Sequence, residues 1–132
     1  AASKHGTKAD LRAPANNGGC LACHGDGALE HAAKSGGKGV GGVLGFNDRK
    51  VPAETKNEVC LTCHQGGKRI HWDRSTHAAS EVACVSCHKV HAAHDKVRDK
   101  MTQTEVCFSC HKEQRAQMRR PSRHPIDEGK VV

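Results

Sequence analysis

The sequence predicts a mostly irregular chain with short α-helices and little or no β-sheet. The 132 residues include 14 glycines and 27% charged residues, which favour loops and solvent-exposed segments. Only two phenylalanines and one tryptophan are present, with no tyrosine, so the polypeptide has few large side chains for a core. Eight cysteines and 11 histidines are over-represented instead. A small chain of this composition needs covalent or cofactor support.

The eight cysteines all belong to four segments with the pattern Cys-x-x-Cys-His. The pairs are Cys20 with Cys23, Cys60 with Cys63, Cys84 with Cys87, and Cys107 with Cys110. In this pattern the two thiols form thioethers with one haem, and the adjacent histidine binds its iron as the proximal ligand. The proximal ligands are therefore His24, His64, His88 and His111. Zinc sites and redox disulfides also use Cys-x-x-Cys pairs, but neither requires the histidine that follows all four.

The motifs predict four covalently attached haems c, numbered 1 to 4 in chain order, in a single haem-cored domain over residues 1–132. Short helices are predicted to carry them, because a polar residue followed by glutamate is typical of a helix start and occurs at 57–58, 80–81 and 104–105. The longest helix is predicted over about 104–119. The glycine-rich segment 36–45 matches a dinucleotide-binding fingerprint, but no strand precedes it. We interpret it as a flexible loop or as backbone close to a haem face.

An internal repeat indicates where the second axial ligands of the irons come from. A shift of 47 residues aligns 60–77 with 107–124, and both copies end in Ser-x-His. The same ending occurs without a preceding motif at Ser3–His5. The repeat favours His77 and His124 as distal ligands that loop to the opposite faces of haems 2 and 4.

The remaining distal ligands follow by elimination. His91 lies three residues after His88, so on a helix it is on the same side of haem 3 and is expected to serve haem 1. Haem 3 is then left to His31, His5 or His94. The preferred distal ligands are His77, His124, His91 and His31, and the alternatives are His5, His94 and His71. Bis-histidine ligation of most or all irons is the resulting prediction.

The Cys-x-x-Cys-His motifs, combined with the histidine patterns at 72–77, 84–91 and 121–125, resemble the MtrA/DmsE-type periplasmic multihaem cytochromes, which are relatives of the NrfB-type electron donors. The resemblance covers nearly the whole chain. It implies low-spin bis-histidine haems in a near-linear wire. The implied partners are a quinol dehydrogenase on one side and an outer-membrane protein or terminal reductase on the other. Chains of the MtrA/DmsE type carry ten haems, so this sequence is a short four-haem version or a fragment.

Charge and hydropathy exclude other classes of partner. The net charge is +7, but the basic residues are scattered and stacking aromatic residues are nearly absent, so no nucleic-acid partner is predicted. No run of 18 apolar residues occurs, and the protein is therefore predicted not to span a membrane. The small-residue start Ala1-Ala2-Ser3 is typical of a mature exported chain. The predicted location is periplasmic or extracellular.

The predicted function is electron transfer through low-potential bis-histidine haems, without enzymatic activity. Two alternatives remain open at this point. A small multihaem reductase would need one iron with an open sixth position. A polymeric cytochrome filament would explain the isolated Ser3–His5 ending, because His5 would then reach the haem of a neighbouring chain.

Overall fold

A computed structural model describes residues 3–28, 33, 42–69 and 71–122. Over these ranges the chain forms six short α-helices and four 3₁₀ turns, with irregular connections and no β-strand. The helices are α1 (Leu21–His24), α2 (Ala53–Leu61), α3 (Thr76–Ala79), α4 (Cys84–Cys87), α5 (Gln103–Phe108) and α6 (Lys112–Met118). The 3₁₀ turns are Lys4–Gly6, Pro14–Asn16, Gly67–Arg69 and Lys96–Arg98. The predicted fold class is confirmed.

Two of the three predicted helix starts are wrong. Helix α2 begins earlier than expected, because Pro52 occupies the N-cap position and Glu54 lies in the first turn, which places Asn57 inside the helix. Residues 80–81 follow the end of α3, where Glu81 has a φ of 55°. A non-glycine residue in this left-handed region ends a helix rather than starting one. The third start is close, since α5 begins at Gln103.

The long helix predicted over 104–119 is interrupted at the fourth motif. Helix α5 ends at Phe108 and α6 begins at Lys112. Between them, His111 has a φ of −88° and a ψ of 62°, which is outside the helical region. The chain therefore turns at the proximal histidine instead of continuing as one helix.

The polypeptide alone buries very little apolar surface. Among the described residues only Ala13, Ala28 and Ala83 form the buried apolar set, and no side chain is completely buried. The accessible surface is 10257 Å² for a chain of 14.1 kDa. A folded monomer of this mass is expected to expose about 6,700 Å². The excess surface fits a chain whose interior is occupied by prosthetic groups.

Helix packing is limited to a few local contacts. Helix α2 packs against α4, and α5 packs against the turn Lys96–Arg98. The first contact joins the second motif to the third, and the other joins the fourth motif to the segment that follows the third. None of the described helices is long and apolar enough to cross a bilayer. The predicted ligands His31 and His124, and residues 36–41 of the glycine-rich loop, lie outside the described residues.

Candidate haem sites

All four Cys-x-x-Cys-His motifs adopt the same local geometry. In each motif the backbone N–H of the histidine donates to the carbonyl oxygen of the first cysteine, at 2.9–3.0 Å. This bond closes one helical turn, which places the two cysteines, three residues apart, on the same side. One helical turn thus presents two thiols and a histidine from a single short segment. This arrangement suits covalent attachment of a planar group next to a histidine ligand.

The first proximal histidine is fixed by the end of the glycine-rich loop. The Nδ1–H of His24 donates to the carbonyl oxygen of Leu44 at 2.9 Å, and the Leu44 N–H donates to the carbonyl oxygen of His24 at 2.8 Å. The ring of Phe46 packs edge-on against the His24 ring, with centroids 5.3 Å apart. Because Nδ1 is occupied, Nε2 of His24 is the nitrogen available for iron.

The third proximal histidine has a charged partner. The Nδ1–H of His88 donates to Oδ2 of Asp95 at 2.7 Å, and the backbone N–H of Lys89 donates to Oδ1 of the same carboxylate at 3.1 Å. Burial raises the pKa of Asp95, but the hydrogen bonds from His88 and Lys89 outweigh it, so the net pKa lies below the ordinary value. Asp95 was not among the residues predicted from the sequence. Its only sequence signal is its place seven residues after His88.

Three histidines outside the motifs lie directly beside proximal histidines. The ring centroids of His5 and His64 are 5.8 Å apart, and those of His24 and His91 are 5.9 Å apart. The centroids of His77 and His111 are also 5.8 Å apart. Each pair contains one motif histidine and one other histidine. Edge-to-face packing of rings can give similar distances, but it does not explain this consistent combination.

The separations fit two imidazoles that bind one iron from opposite sides. With metal–nitrogen bonds of about 2 Å and ring centres about 1.1 Å beyond the ligating nitrogens, the two centroids are expected about 6 Å apart. The neutral ring required of a ligand is favoured at His64, where burial, followed by the charges of Arg69 and His5, lowers the pKa. The residues present therefore fit bis-histidine haem binding.

These ring positions differ from the expected pairing in one respect. The ring of His77 lies beside His111 of the fourth motif, and the ring beside His64 of the second motif is that of His5. His77 lies on α3, which Ser75 caps by accepting a hydrogen bond from the Ala78 N–H at 3.1 Å. His91 lies beside His24, as the elimination argument predicts.

Two other predicted distal ligands, His71 and His94, are described by the structure, and neither is brought to a motif. Both His71 and His94 are exposed, and neither ring lies opposite a motif histidine in the described part of the chain. Nε2 of His94 instead approaches Oδ2 of Asp99 at 3.6 Å. No second ring lies beside His88 among the described residues.

The thiols of different motifs influence one another's ionisation. Burial and then the charges of Cys60 and Cys63 raise the pKa of the Cys23 thiol. Hydrogen bonding with the Cys84 thiol, followed by burial, raises the pKa of Cys60, while the same bond lowers that of Cys84 to about 7. The packing of α2 against α4 brings the second and third motifs together.

The third and fourth motifs are linked through the turn Lys96–Arg98. This turn follows the third motif and packs against α5, which contains the first cysteine of the fourth. Burial, followed by the charges of Cys107 and Cys110, raises the pKa of the Cys87 thiol. The second, third and fourth motifs are therefore joined by local packing, which suits prosthetic groups that lie next to one another.

A buried asparagine joins the second and third motifs. The Asn57 side chain is 7% exposed, its Oδ1 accepts from the Cys84 N–H at 2.7 Å, and its Nδ2 donates to the carbonyl oxygen of Val82 at 3.1 Å. Sequence reasoning placed Asn57 at a helix start. In the structure it instead fixes α2 against the segment that leads into α4.

Two open cavities lie next to motifs. One, of about 490 Å³, is lined by Met101, Thr104, Glu105, Phe108, Arg115 and Arg119. The other, of about 260 Å³, is lined by Leu61, His64, Gln65, Arg69 and Asp73. Each combines apolar side chains with at least one arginine, and arginine pairs well with the carboxylates that haem carries.

The chain is similar to one protein family and to individual members of it. A family model described as cytochrome c-type protein NrfB-like matches residues 20–104. The multiheme cytochrome MtrA of Shewanella baltica (strain OS185) is 40% identical over 122 residues, which cover 92% of this chain and 35% of MtrA. The cytochrome c-type protein NrfB of Haemophilus influenzae is 31% identical over 121 residues, which cover 83% of this chain and 52% of NrfB. The chain thus spans about a third and about half of the lengths of these relatives.

Proposed function

Because the chain belongs to the NrfB-like cytochrome c family, we propose that it relays electrons along four covalently bound c-type haems with bis-histidine ligation. The observation that carries the proposal is the placement of a second histidine ring 5.8–5.9 Å from a motif histidine in three separate places. When bound, the haems supply the one-electron iron couple. Two imidazoles on one iron leave no position for a substrate, which favours electron transfer over catalysis.

The ring positions support a specific ligand for three of the four irons. His24 and His91 would hold haem 1, and His64 and His5 would hold haem 2. His111 and His77 would hold haem 4. This assignment keeps His77 as a distal ligand but gives it to haem 4 rather than to haem 2.

No ring position in the described part of the chain identifies the distal ligand of the third haem. His88 is its proximal ligand, and His5, His77 and His91 are used elsewhere. The candidates that remain are His31, His94, His124 and His71. We propose His31 or His124, because the rings of His71 and His94 lie beside no motif histidine in the described part of the chain.

The positions of the Cys-x-x-Cys-His motifs support a continuous path for electrons. The packing of α2 against α4, and of α5 against the turn Lys96–Arg98, supports close spacing of the haems at the second, third and fourth motifs. Bis-histidine ligation favours low reduction potentials relative to methionine–histidine ligation. We propose a low-potential wire in the periplasm, with a quinol dehydrogenase as donor and an outer-membrane protein or terminal reductase as acceptor, as the resemblance to MtrA/DmsE-type chains implies.

The mass and the electron paramagnetic resonance (EPR) spectrum of the ferric holoprotein test this function. The mass should exceed that of the polypeptide by four haems, and the spectrum should contain only low-spin iron. His91→Ala and His77→Ala should each convert one haem to high spin, whereas His71→Ala, the control, should convert none. A holoprotein with fewer than four haems, or a high-spin signal unaffected by the first two substitutions, would overturn the ligand scheme.

The reductase alternative depends on His88, which has no second ring beside it among the described residues. Such a protein would contain one high-spin iron that binds nitrite, cyanide or carbon monoxide without any mutation. Titration of the wild-type protein with these ligands separates the two functions, because a bis-histidine wire should show no such binding at low ligand concentration.

The filament alternative loses its main argument. It depended on His5 being without a haem of its own chain, but the His5 ring lies beside His64 of the same chain. We therefore propose no filament, and light scattering of the purified holoprotein should detect no assembly that depends on His5.

A further inference from the structure

The two proximal histidines whose Nδ1 partners are described have partners of different charge. His24 donates its Nδ1 proton to a neutral backbone oxygen, that of Leu44, at 2.9 Å. His88 donates its Nδ1 proton to the Asp95 carboxylate at 2.7 Å. The carboxylate is held in place by a second hydrogen bond, from the Lys89 N–H, and its side chain is only 18% exposed. The same ligand type thus occurs in two different electrostatic settings.

The nature of the partner determines how strongly an imidazole donates electrons to a metal. A carboxylate draws the Nδ1 proton away from the ring, which gives the ring partial imidazolate character and raises the basicity of Nε2. A backbone carbonyl does this more weakly because it carries no net charge. A more basic Nε2 stabilises ferric iron relative to ferrous iron, and the nearby negative charge acts in the same direction.

We propose that Asp95 is a positioning and tuning residue for haem 3, which holds His88 in a fixed orientation and lowers the reduction potential of haem 3 below that of haem 1. This inference rests on the proposed function, since it requires His88 to be an iron ligand. Its consequence for electron flow is an uphill step inside the wire, at the third haem. The uphill step would slow the passage of electrons unless the neighbouring haem is close, and the packing of α2 against α4 brings the second motif next to the third.

The position of Asp95 makes an alternative explanation testable. The segment between His88 and Asp95 also contains His91, whose ring lies beside His24. If Asp95 only held this loop in place, its loss would disturb haem 1 through His91 as well as haem 3. If Asp95 acts on the His88 ring, haem 1 should be unaffected by an isosteric change.

The experiment is a potentiometric titration of the four-haem holoprotein, followed by EPR, for wild type, Asp95→Asn and Asp95→Ala. Asp10→Asn is the matched control, because it removes the same charge from an exposed side chain away from the motifs. We expect Asp95→Asn to shift the reduction equilibrium of one haem about tenfold toward the ferrous state, equivalent to about 59 mV for one electron. The EPR g-values of that haem should move toward those of a neutral imidazole ligand.

Identification of the haem that shifts uses the distal-ligand variants. In the His91→Ala, His5→Ala and His77→Ala backgrounds, haems 1, 2 and 4 respectively are high-spin, so a shifted low-spin signal that belongs to haem 3 must persist in all three. Failure of every potential to move beyond the Asp10→Asn change would overturn the inference, as would equal shifts of haems 1 and 3. A holoprotein without low-spin haems would overturn the proposed function instead, so the two failures are distinguishable.

Discussion

Replacement of Asn57 by alanine should loosen the junction between the second and third motifs. The side chain makes two hydrogen bonds to backbone groups, the Cys84 N–H at 2.7 Å and the Val82 carbonyl at 3.1 Å. Each contributes about 1 kcal/mol net, and the partly buried backbone groups lose their partners when the amide is removed. The higher helix propensity of alanine returns about 0.5 kcal/mol, because position 57 lies inside α2. The expected loss is therefore about 2 kcal/mol of unfolding free energy.

Thermal unfolding of the holoprotein, followed by circular dichroism in the Soret and far-ultraviolet regions, measures this loss. A change of 1 kcal/mol shifts the melting temperature of a domain of this size by about 4 °C, so Asn57→Ala should lower it by about 8 °C. The matched control is Asn47→Ala, which removes an exposed asparagine and should change the melting temperature by less than about 2 °C. Equal melting temperatures for the two variants would refute the assigned role of Asn57.

A second substitution at the same position tests the direction of the hydrogen bonds. In Asn57→Asp the carboxylate can still accept from the Cys84 N–H, but its second oxygen faces the Val82 carbonyl oxygen and cannot donate to it. At neutral pH this variant should be at least as unstable as Asn57→Ala. As the pH falls and the carboxyl group becomes protonated, it can donate again, so Asn57→Asp should gain stability relative to Asn57→Ala. A constant difference between the variants from pH 7 to pH 4 would contradict this assignment.

Three further predictions concern the turns, the surface and the core. Gly25→Ala should destabilise the first motif more than Gly19→Ala, and the melting temperatures of the two variants measure the difference. Gly25 has a φ of 80° and a ψ of −179°, a region essentially restricted to glycine, and a Cβ there would lie 2.8 Å from the Gly42 carbonyl oxygen, whereas a Cβ at Gly19 meets nothing within 4 Å. Glu105→Gln should cost less than about 1 kcal/mol in urea unfolding, because the ion pair with Lys96, at 3.0 Å, joins two exposed side chains. The chain prepared without haem should lack cooperative thermal unfolding, because the buried apolar side chains of the described residues are all alanines; a sharp unfolding transition of the haem-free chain would show that the polypeptide has a core of its own.

The sequence predicts the haem attachment pattern and the fold class because the first depends on a few consecutive residues and the second on composition. Five consecutive residues contain everything that Cys-x-x-Cys-His requires, and the abundance of glycine with few aromatic residues is a property of composition. Helix boundaries are predicted less well. Asn57 has the residue type of an N-cap, but its amide bonds to the third motif instead, and nothing in residues 57–59 reveals that contact. The roles of Asp95 and of the Leu44 carbonyl likewise depend on distant or irregular backbone that no local pattern specifies.

The distal histidines show most clearly why local spacing is insufficient. The 12-residue spacer shared by His77 and His124 suggests that each loops back to its own haem, yet the His77 ring lies beside His111, beyond the next motif. His5 likewise lies beside His64 rather than His24, and His91 lies beside His24 rather than His88. In all three pairs the second histidine passes over the nearest motif and lies beside a more distant one, which is later in the chain for His5 and His77 and earlier for His91. The choice is therefore made by how successive motifs pack, which depends on the contacts between their attachment turns.

This exchange of histidines has a consequence for assembly. A distal ligand that belonged to its own motif would let each haem segment fold independently of the others. Under the proposed ligation, the segment at His5 would be tied to the second motif and the segment at His91 to the first, so removal of one histidine would free a stretch of chain that belongs to a different motif. Since the described polypeptide buries so little apolar surface, these proposed ligands are the main candidates for long-range cohesion. We therefore expect the unfolding of the holoprotein to be cooperative across motifs, with His91→Ala lowering the stability of the third motif as well as that of the first.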